Sequence, residues 1–210
     1  MPQRPHHRPM RLPLHDLEQI VGAHDPFSAS RLAHDTAAAL LHRARSSEGE
    51  GTVERVLAYT REHGIDDVAE LWAQSSPHSL PGALWRLYLV HGAAQHDAER
   101  SSYVFRRGAE VDRTISRAVA GAETPTGPDE IVRLTDDILR GAFHGDFALA
   151  LDRAAAFCTI MSQGAASLAE SVENVDEEEA RRSTTQSARY LGFARDLRSC
   201  AGMWRDDALV

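Results

Sequence analysis

Residues 147–168 read FALALDRAAAFCTIMSQGAASL, and this stretch decides the fold of the chain. Its apolar residues recur at alternating steps of four and three, which keeps them on one face of an α-helix. The members of this stripe are Phe147, Leu151, Ala154, Cys158, Met161, Ala165 and Leu168. A stripe with this spacing packs along a second helix at a shallow angle, so the stretch predicts a long helix buried in a bundle.

The same spacing recurs in two other segments. One carries Val104, Gly108, Val111, Ile115 and Ala118, and the other carries Tyr190, Ala194, Leu197, Ala201 and Trp204. The small members of the three stripes are expected to let helix axes approach closely; they are Gly108, Ala154, Ala165 and Ala194. No segment shows a convincing strand alternation. We therefore expect an all-α fold, a compact antiparallel bundle of about eight or nine helices without a sheet.

The composition excludes several classes of protein. Good helix formers dominate, and the 23 basic residues, all of them Arg, face 31 acidic ones for a net charge of −8. This balance argues against broad, charge-driven binding of nucleic acid. Two cysteines are too few for a disulfide framework or a cysteine-rich zinc module, and no apolar run reaches the roughly 18 residues of a membrane span. With no signal-peptide pattern either, we expect a cytoplasmic protein.

The chain is expected to form one domain behind a short arm. Residues 1–11 carry Arg4, Arg8 and Arg11 among prolines and are predicted to be a flexible arm. Residues 12–210 are predicted to be a single helical domain, in which shorter helices over 14–75 pack on a bundle over 80–205. Because burial of one Leu or Phe is worth about 1.5–3 kcal/mol, this core needs no metal or disulfide. The sequence thus predicts no cofactor.

Capping residues place the ends of several predicted helices. Ser28 or Ser30 is expected to cap a helix that runs to about Arg45, and Ser79 is expected to start another. Asp146 is expected to be the N-cap or a first-turn acid of a third helix, and the acids from Asp176 to Glu179 are expected to open the last one, because negative charge favours the start of a helix. Pro128 is expected to open a further helix, and Gly141 is expected to close it.

An adjacent His-Asp pair, His34-Asp35, is one candidate for chemistry. It resembles the dyad of the metal-dependent phosphohydrolases that are named for these two residues. The resemblance implies a divalent metal that activates a water molecule, with His15 as the upstream ligand and Asp112, Asp66 or Asp67 as the downstream one. The residues after the dyad depart from the family's pattern, since Thr36 and three alanines follow where a Gly and a further His or Lys are usual. The hydrolase is therefore kept as an alternative.

Aromatic residues form a second candidate site. Trp72, Trp85 and Tyr88, with His91 on the same predicted helix, are expected to line a small-molecule pocket if they converge. The competing interpretation is packing, in which the rings seal two short helices and His91 is a hydrogen-bonded core residue.

Motifs of common enzymes are missing from the sequence. It has no nucleophile-elbow pattern, no Walker loop and no dinucleotide fingerprint. The function expected is therefore that of a helical interaction or regulatory protein. We expect a protein partner, in the first place a second copy of the chain, because a helix that buries one stripe internally can offer another to a partner.

Overall fold

The computed structural model describes residues 26–45, 71–111 and 127–210. These ranges contain six long helices: α1 (Pro26–Arg45), α2 (Leu80–His96), α3 (Ala98–Val111), α4 (Pro128–His144), α5 (Phe147–Val172) and α6 (Glu177–Arg205). Residues 71–73 add one helical turn, and no residue in the described ranges belongs to a strand. The all-α prediction is confirmed. The expected eight or nine helices are not matched, because the described ranges hold seven helical segments and the predicted helices over 14–23 and 52–63 lie outside them.

Helices α5 and α6 pair antiparallel at the centre of the molecule. All seven members of the α5 stripe are buried. Near the middle of both helices, the Ser162 hydroxyl donates to the backbone carbonyl of Ser187 at 3.0 Å. At one end of the pair, the ring of Phe147 contacts the ring of Trp204 edge-on, with centroids 4.8 Å apart. The start of α5 thus faces the end of α6, as expected for helices joined by a short turn.

Two glycines bring the backbones of α3 and α5 into contact. A Cβ atom on Gly108 would overlap the carbonyl oxygen of Ile160, and one on Gly164 would overlap that of Val104. Residue 104 therefore faces 164 and residue 108 faces 160, so α3 also runs antiparallel to α5. The close approach expected at Gly108 is confirmed. Gly164 was missed, because it lies one residue off the predicted α5 stripe.

The predicted starts of α2, α5 and α6 are confirmed, whereas α1 already begins at Pro26 and so includes the expected caps Ser28 and Ser30. Ser79, Asp146 and Asp176 precede α2, α5 and α6, and the side chain of each accepts a hydrogen bond from the N–H three residues later. The three distances are 3.2, 3.1 and 2.9 Å. These caps fix where the three helices begin.

The predicted end of α4 at Gly141 is wrong by one turn. The helix continues to His144, and the N–H of Gly145 donates to the Gly141 carbonyl at 2.9 Å. The extra turn buries Ala142 and Phe143. Burial of one Phe side chain outweighs the roughly 1 kcal/mol that a glycine costs inside a helix.

Arg45 attaches the end of α1 to the rest of the bundle. Its Nη2 donates to the carbonyls of Ala142 and Gly145, at 3.3 Å each. Its guanidinium carbon lies 6.0 Å from the ring centroid of Phe147 and 5.6 Å from that of Trp204. One side chain thereby joins α1 to the α4–α5 turn and to the end of α6.

Candidate functional site

The residues of the predicted metal site are only partly within the described ranges. His34 is half-buried and Asp35 is exposed on α1, whereas His15 and Asp112 lie outside the described residues. Over the ranges that the structure covers, no three His, Cys, Asp or Glu side chains are grouped so that they could hold a metal ion. The hydrolase alternative stays a prediction that depends on residues beyond these ranges.

The aromatic residues of the predicted pocket occupy separate packing positions. Trp72 is buried, and its indole N–H donates to the hydroxyl of Thr36 on α1 at 3.2 Å. Trp85 and Tyr88 stack on one another within α2, with ring centroids 5.7 Å apart. The hydrogen bond of Trp72 and the stacking of Trp85 on Tyr88 are packing contacts. A ligand pocket formed by these rings stays a prediction.

His91 is buried in a polar cluster between α2 and α4. Its Nε2 lies 2.6 Å from Asp136 Oδ1 and 3.0 Å from the amide nitrogen of Gln95. Gln95 also donates to Asp136, at 3.4 Å. Because a carboxylate oxygen accepts, His91 Nε2 donates the short bond, and the amide N–H of Gln95 then donates to Asp136 rather than to the ring. The cluster gives buried polar groups partners where the two helices meet, which is the role of a hydrogen-bonded core histidine.

Neither cysteine has the properties of a reactive nucleophile. Both are free thiols and both are buried. Burial raises the pKa of Cys158 well above its ordinary value, and it raises the pKa of Cys200 to about 11. Cys200 also donates to the carbonyl of Pro77 at 3.3 Å. Because the thiolate is the nucleophilic form, these environments suppress thiol chemistry.

The outward side of α6 carries a second regular stripe, which we call the outer stripe. Its residues recur at steps of four, three, four and three, and they lie about half a turn from the buried stripe of the same helix. Its members are Ala188, Gly192, Arg195, Ser199 and Gly202. All five are exposed or half-buried, and Leu191 beside them is 39% exposed.

The glycines of the outer stripe are not required by the fold. Around the position of an added Cβ at Gly192 or Gly202, no heavy atom lies within 4 Å apart from the helix itself. Gly108 and Gly164 are the opposite case, because carbonyl oxygens fill the space where their Cβ atoms would stand. The surface of α6 thus holds open positions at which another backbone could approach closely.

The charges of α6 are unevenly distributed along its length. The first turn holds Glu177, Glu178 and Glu179, and the later turns hold Arg189, Arg195 and Arg198. Within the part of the chain that the structure describes, these three arginines form no ion pair and no hydrogen bond through their side chains. Arg181 and Arg182 directly follow the acidic first turn and pair with Glu178 and Glu179, whereas the turns from residue 189 onward carry a net positive charge.

A cavity of about 610 Å³ lies between the start of α3 and the first half of α6. Polar and charged side chains line it: Asp97, Arg100, Glu178, Arg181, Arg182, Thr185, Gln186 and Arg189. None of the four residues predicted for the aromatic pocket is among them. Sequence reasoning missed both this cavity and the outer stripe, although the stripe has the same spacing that identified the buried one.

Comparison of the chain with protein-family models, with curated proteins and with solved structures found no match. None of the helices in the described ranges has the length and apolar character needed to cross a membrane. Only the geometry of the described residues therefore bears on function.

Proposed function

We propose that this chain is a helical interaction protein that pairs with a second copy of itself through the outer stripe of α6. The observation that carries the proposal is that two open glycines, Gly192 and Gly202, recur on one exposed stripe of α6, whereas Gly92 is a single open glycine on α2. A glycine inside a helix costs roughly 0.5–1 kcal/mol relative to alanine. Here no neighbouring helix of the same chain needs the space. A close approach by a helix from outside the molecule gives both glycines a purpose.

The charge distribution of α6 favours an antiparallel pair. In that arrangement the acidic first turn of one copy, where Glu177 has no ion pair among the described residues, faces the arginines in the later turns of the other. A parallel arrangement would bring the three unpaired arginines of both copies together. Two-fold symmetry produces such a self-complementary contact from one surface patch, and it is the commonest symmetry of homo-oligomers.

Two further expectations belong to the same proposal. The first is that the protein acts through its surface rather than by catalysis; the hydrogen-bonded environment of His91 and the raised pKa of Cys200 support it. The second is a cytoplasmic location, which is supported by the free thiols of both cysteines.

Sedimentation equilibrium of the wild type and of Gly192→Gln tests the proposal. The monomer has a mass of 23.1 kDa. We expect the wild type to exceed that mass at high micromolar concentration, and we expect the variant to remain monomeric because the new side chain holds a second helix away. Glutamine is also a better helix former than glycine, so loss of the fold is not expected.

Gly92→Gln is the matched control. Gly92 lies on α2 and, like Gly192, has no atom of another helix within 4 Å of an added Cβ. This variant should associate like the wild type. A wild type that is monomeric at every concentration contradicts the proposal, as does a Gly192→Gln variant that associates normally.

A further inference from the structure

The cavity between α3 and α6 carries positive charge in an otherwise acidic chain. Four arginines line it against two carboxylates, whereas the whole chain has a net charge of −8. Such a local reversal of sign attracts anions. The question is whether the carboxylates already neutralise the arginines.

Each carboxylate at the cavity already has a partner. Asp97 accepts a hydrogen bond from the backbone N–H of Arg100 at 3.0 Å, in the manner of a helix cap. Glu178 pairs with Arg181 at 3.1 Å. Of the four guanidinium groups, only that of Arg181 is therefore bound to one of these two carboxylates.

Arg100 is held in place by a buried contact beside the cavity. Its Nη2 lies 2.6 Å from Glu179 Oε1 and 3.3 Å from the hydroxyl of Ser183. Ser183 is fully buried and donates to the same carboxylate oxygen at 3.1 Å. The hydrogen bond from Arg100 holds the pKa of Glu179 below its ordinary value, so this carboxylate stays ionised. One wall of the cavity is thereby held by contacts within the chain.

Two arginines are the most available to an anion. Arg182 makes only a long ion pair from an exposed side chain, because its Nη2 lies 3.7 Å from Glu179 Oε2, whereas Arg100 holds Oε1 at 2.6 Å. Arg189 has no acidic partner among the described residues. Arginine pairs offer planar sets of N–H donors that match the oxygens of a phosphate group.

We propose that this cavity binds the phosphate group of a small molecule. A phosphate dianion matches two guanidinium groups, whereas a single carboxylate matches one. The cavity is open to solvent on one side, and its volume of about 610 Å³ leaves room for more than the phosphate itself. This ligand site goes beyond the proposed self-association, because it needs no second copy of the chain.

Titration calorimetry with inorganic pyrophosphate as the probe tests the proposal. We expect saturable binding at low ionic strength that Arg189→Gln weakens by at least about tenfold, since charge-assisted hydrogen bonds to phosphate are lost. Arg182→Gln should weaken binding in the same direction. Arg189 is exposed and unpaired, so its substitution is expected to leave the fold intact, which circular dichroism checks.

Arg140→Gln is the charge-matched control. Arg140 is exposed on α4 and does not line the cavity, so this variant should bind pyrophosphate like the wild type. Absence of binding, or an equal loss in the Arg140 and Arg189 variants, overturns the proposal. Binding to phosphatidylcholine vesicles that contain phosphatidic acid, without binding of pyrophosphate, overturns the assignment to a small molecule.

Discussion

Glycines occupy two different kinds of position in this helical chain, and adding one methyl group to each tests the difference. Gly164 lies where α5 touches α3, and its missing Cβ leaves room for the carbonyl of Val104. Gly92 lies in open space on α2. The same substitution should therefore have opposite effects on stability at the two positions.

We expect Gly164→Ala to lower the free energy of unfolding by about 1–3 kcal/mol, because α3 must move away from α5. Gly92→Ala should raise it by roughly 0.5–1 kcal/mol, because alanine is the better helix former. Urea denaturation measures both values. Equal effects at the two glycines would show that the backbones of α3 and α5 are not in contact.

Buried acidic protons should make the protein lose stability at alkaline pH. Burial raises the pKa of Tyr190 from 10.0 to about 12 and that of Cys200 from 9.0 to about 11. The folded state thus retains protons that the unfolded chain releases. The stabilisation is fully present below about pH 9 and is lost as the pH rises through 11 and 12.

The Tyr190→Phe variant isolates the upper part of this pH dependence. A shift of two pKa units corresponds to about 2–3 kcal/mol. The wild type should lose this much of its free energy of unfolding between pH 10 and 12, whereas the variant, which has no phenol, should not show this loss. Urea midpoints measured across this pH range provide the comparison. Identical slopes for the wild type and the variant would contradict the burial of the phenol.

At the scale of the helix, α6 shows what local sequence patterns predict and what they miss. The acidic residues from Asp176 to Glu179 were predicted to open it and Tyr190 to belong to its buried stripe, because helix-start signals and periodicity depend only on neighbours in the chain. The outward stripe with Gly192 was missed, because spacing alone does not tell which face a partner covers. The end of α4 was misplaced at Gly141 for a related reason, since burial of Phe143 by other helices outweighs the local signal.

The cap of α6 should contribute to stability by a modest amount. Asp176→Ala removes the acceptor for the N–H of Glu179 and a negative charge at the positive end of the helix. We expect a loss of about 0.5–2 kcal/mol in the free energy of unfolding. Asp176→Asn keeps an acceptor and should lose less. A larger loss for Asn than for Ala would rule out the capping role.

At the scale of the whole molecule, the contacts least accessible from the sequence are those that single side chains make across distant segments. Arg45 reaches the α4–α5 turn and the ring of Trp204, and Arg86 binds Asp196 at 2.9 Å. No residue spacing or motif in the sequence predicts either contact, because each depends on how whole helices pack together. The all-α class was predictable because the stripes repeat over many residues, whereas the cavity arises only where α3 and α6 meet.

Replacement of Arg45 tests one of these long-range contacts. Arg45→Lys keeps the charge but loses the planar group that lies over Phe147 and Trp204 while donating to two carbonyls. We expect a loss of about 1–2 kcal/mol in the free energy of unfolding. We also expect a change in the tryptophan fluorescence. If Arg45→Lys were as stable as the wild type, the guanidinium of Arg45 would not contribute to holding α1 on the bundle.

The claim that Gly192 serves a partner rather than the fold is tested most directly by the thermal unfolding midpoint as a function of protein concentration. Association of folded chains makes that midpoint rise with concentration. The wild type should show this rise. Gly192→Gln should show a constant midpoint that lies above that of the wild type in dilute solution, because its helix is better formed and its association is lost. A wild-type midpoint that does not change with concentration would contradict self-association through α6.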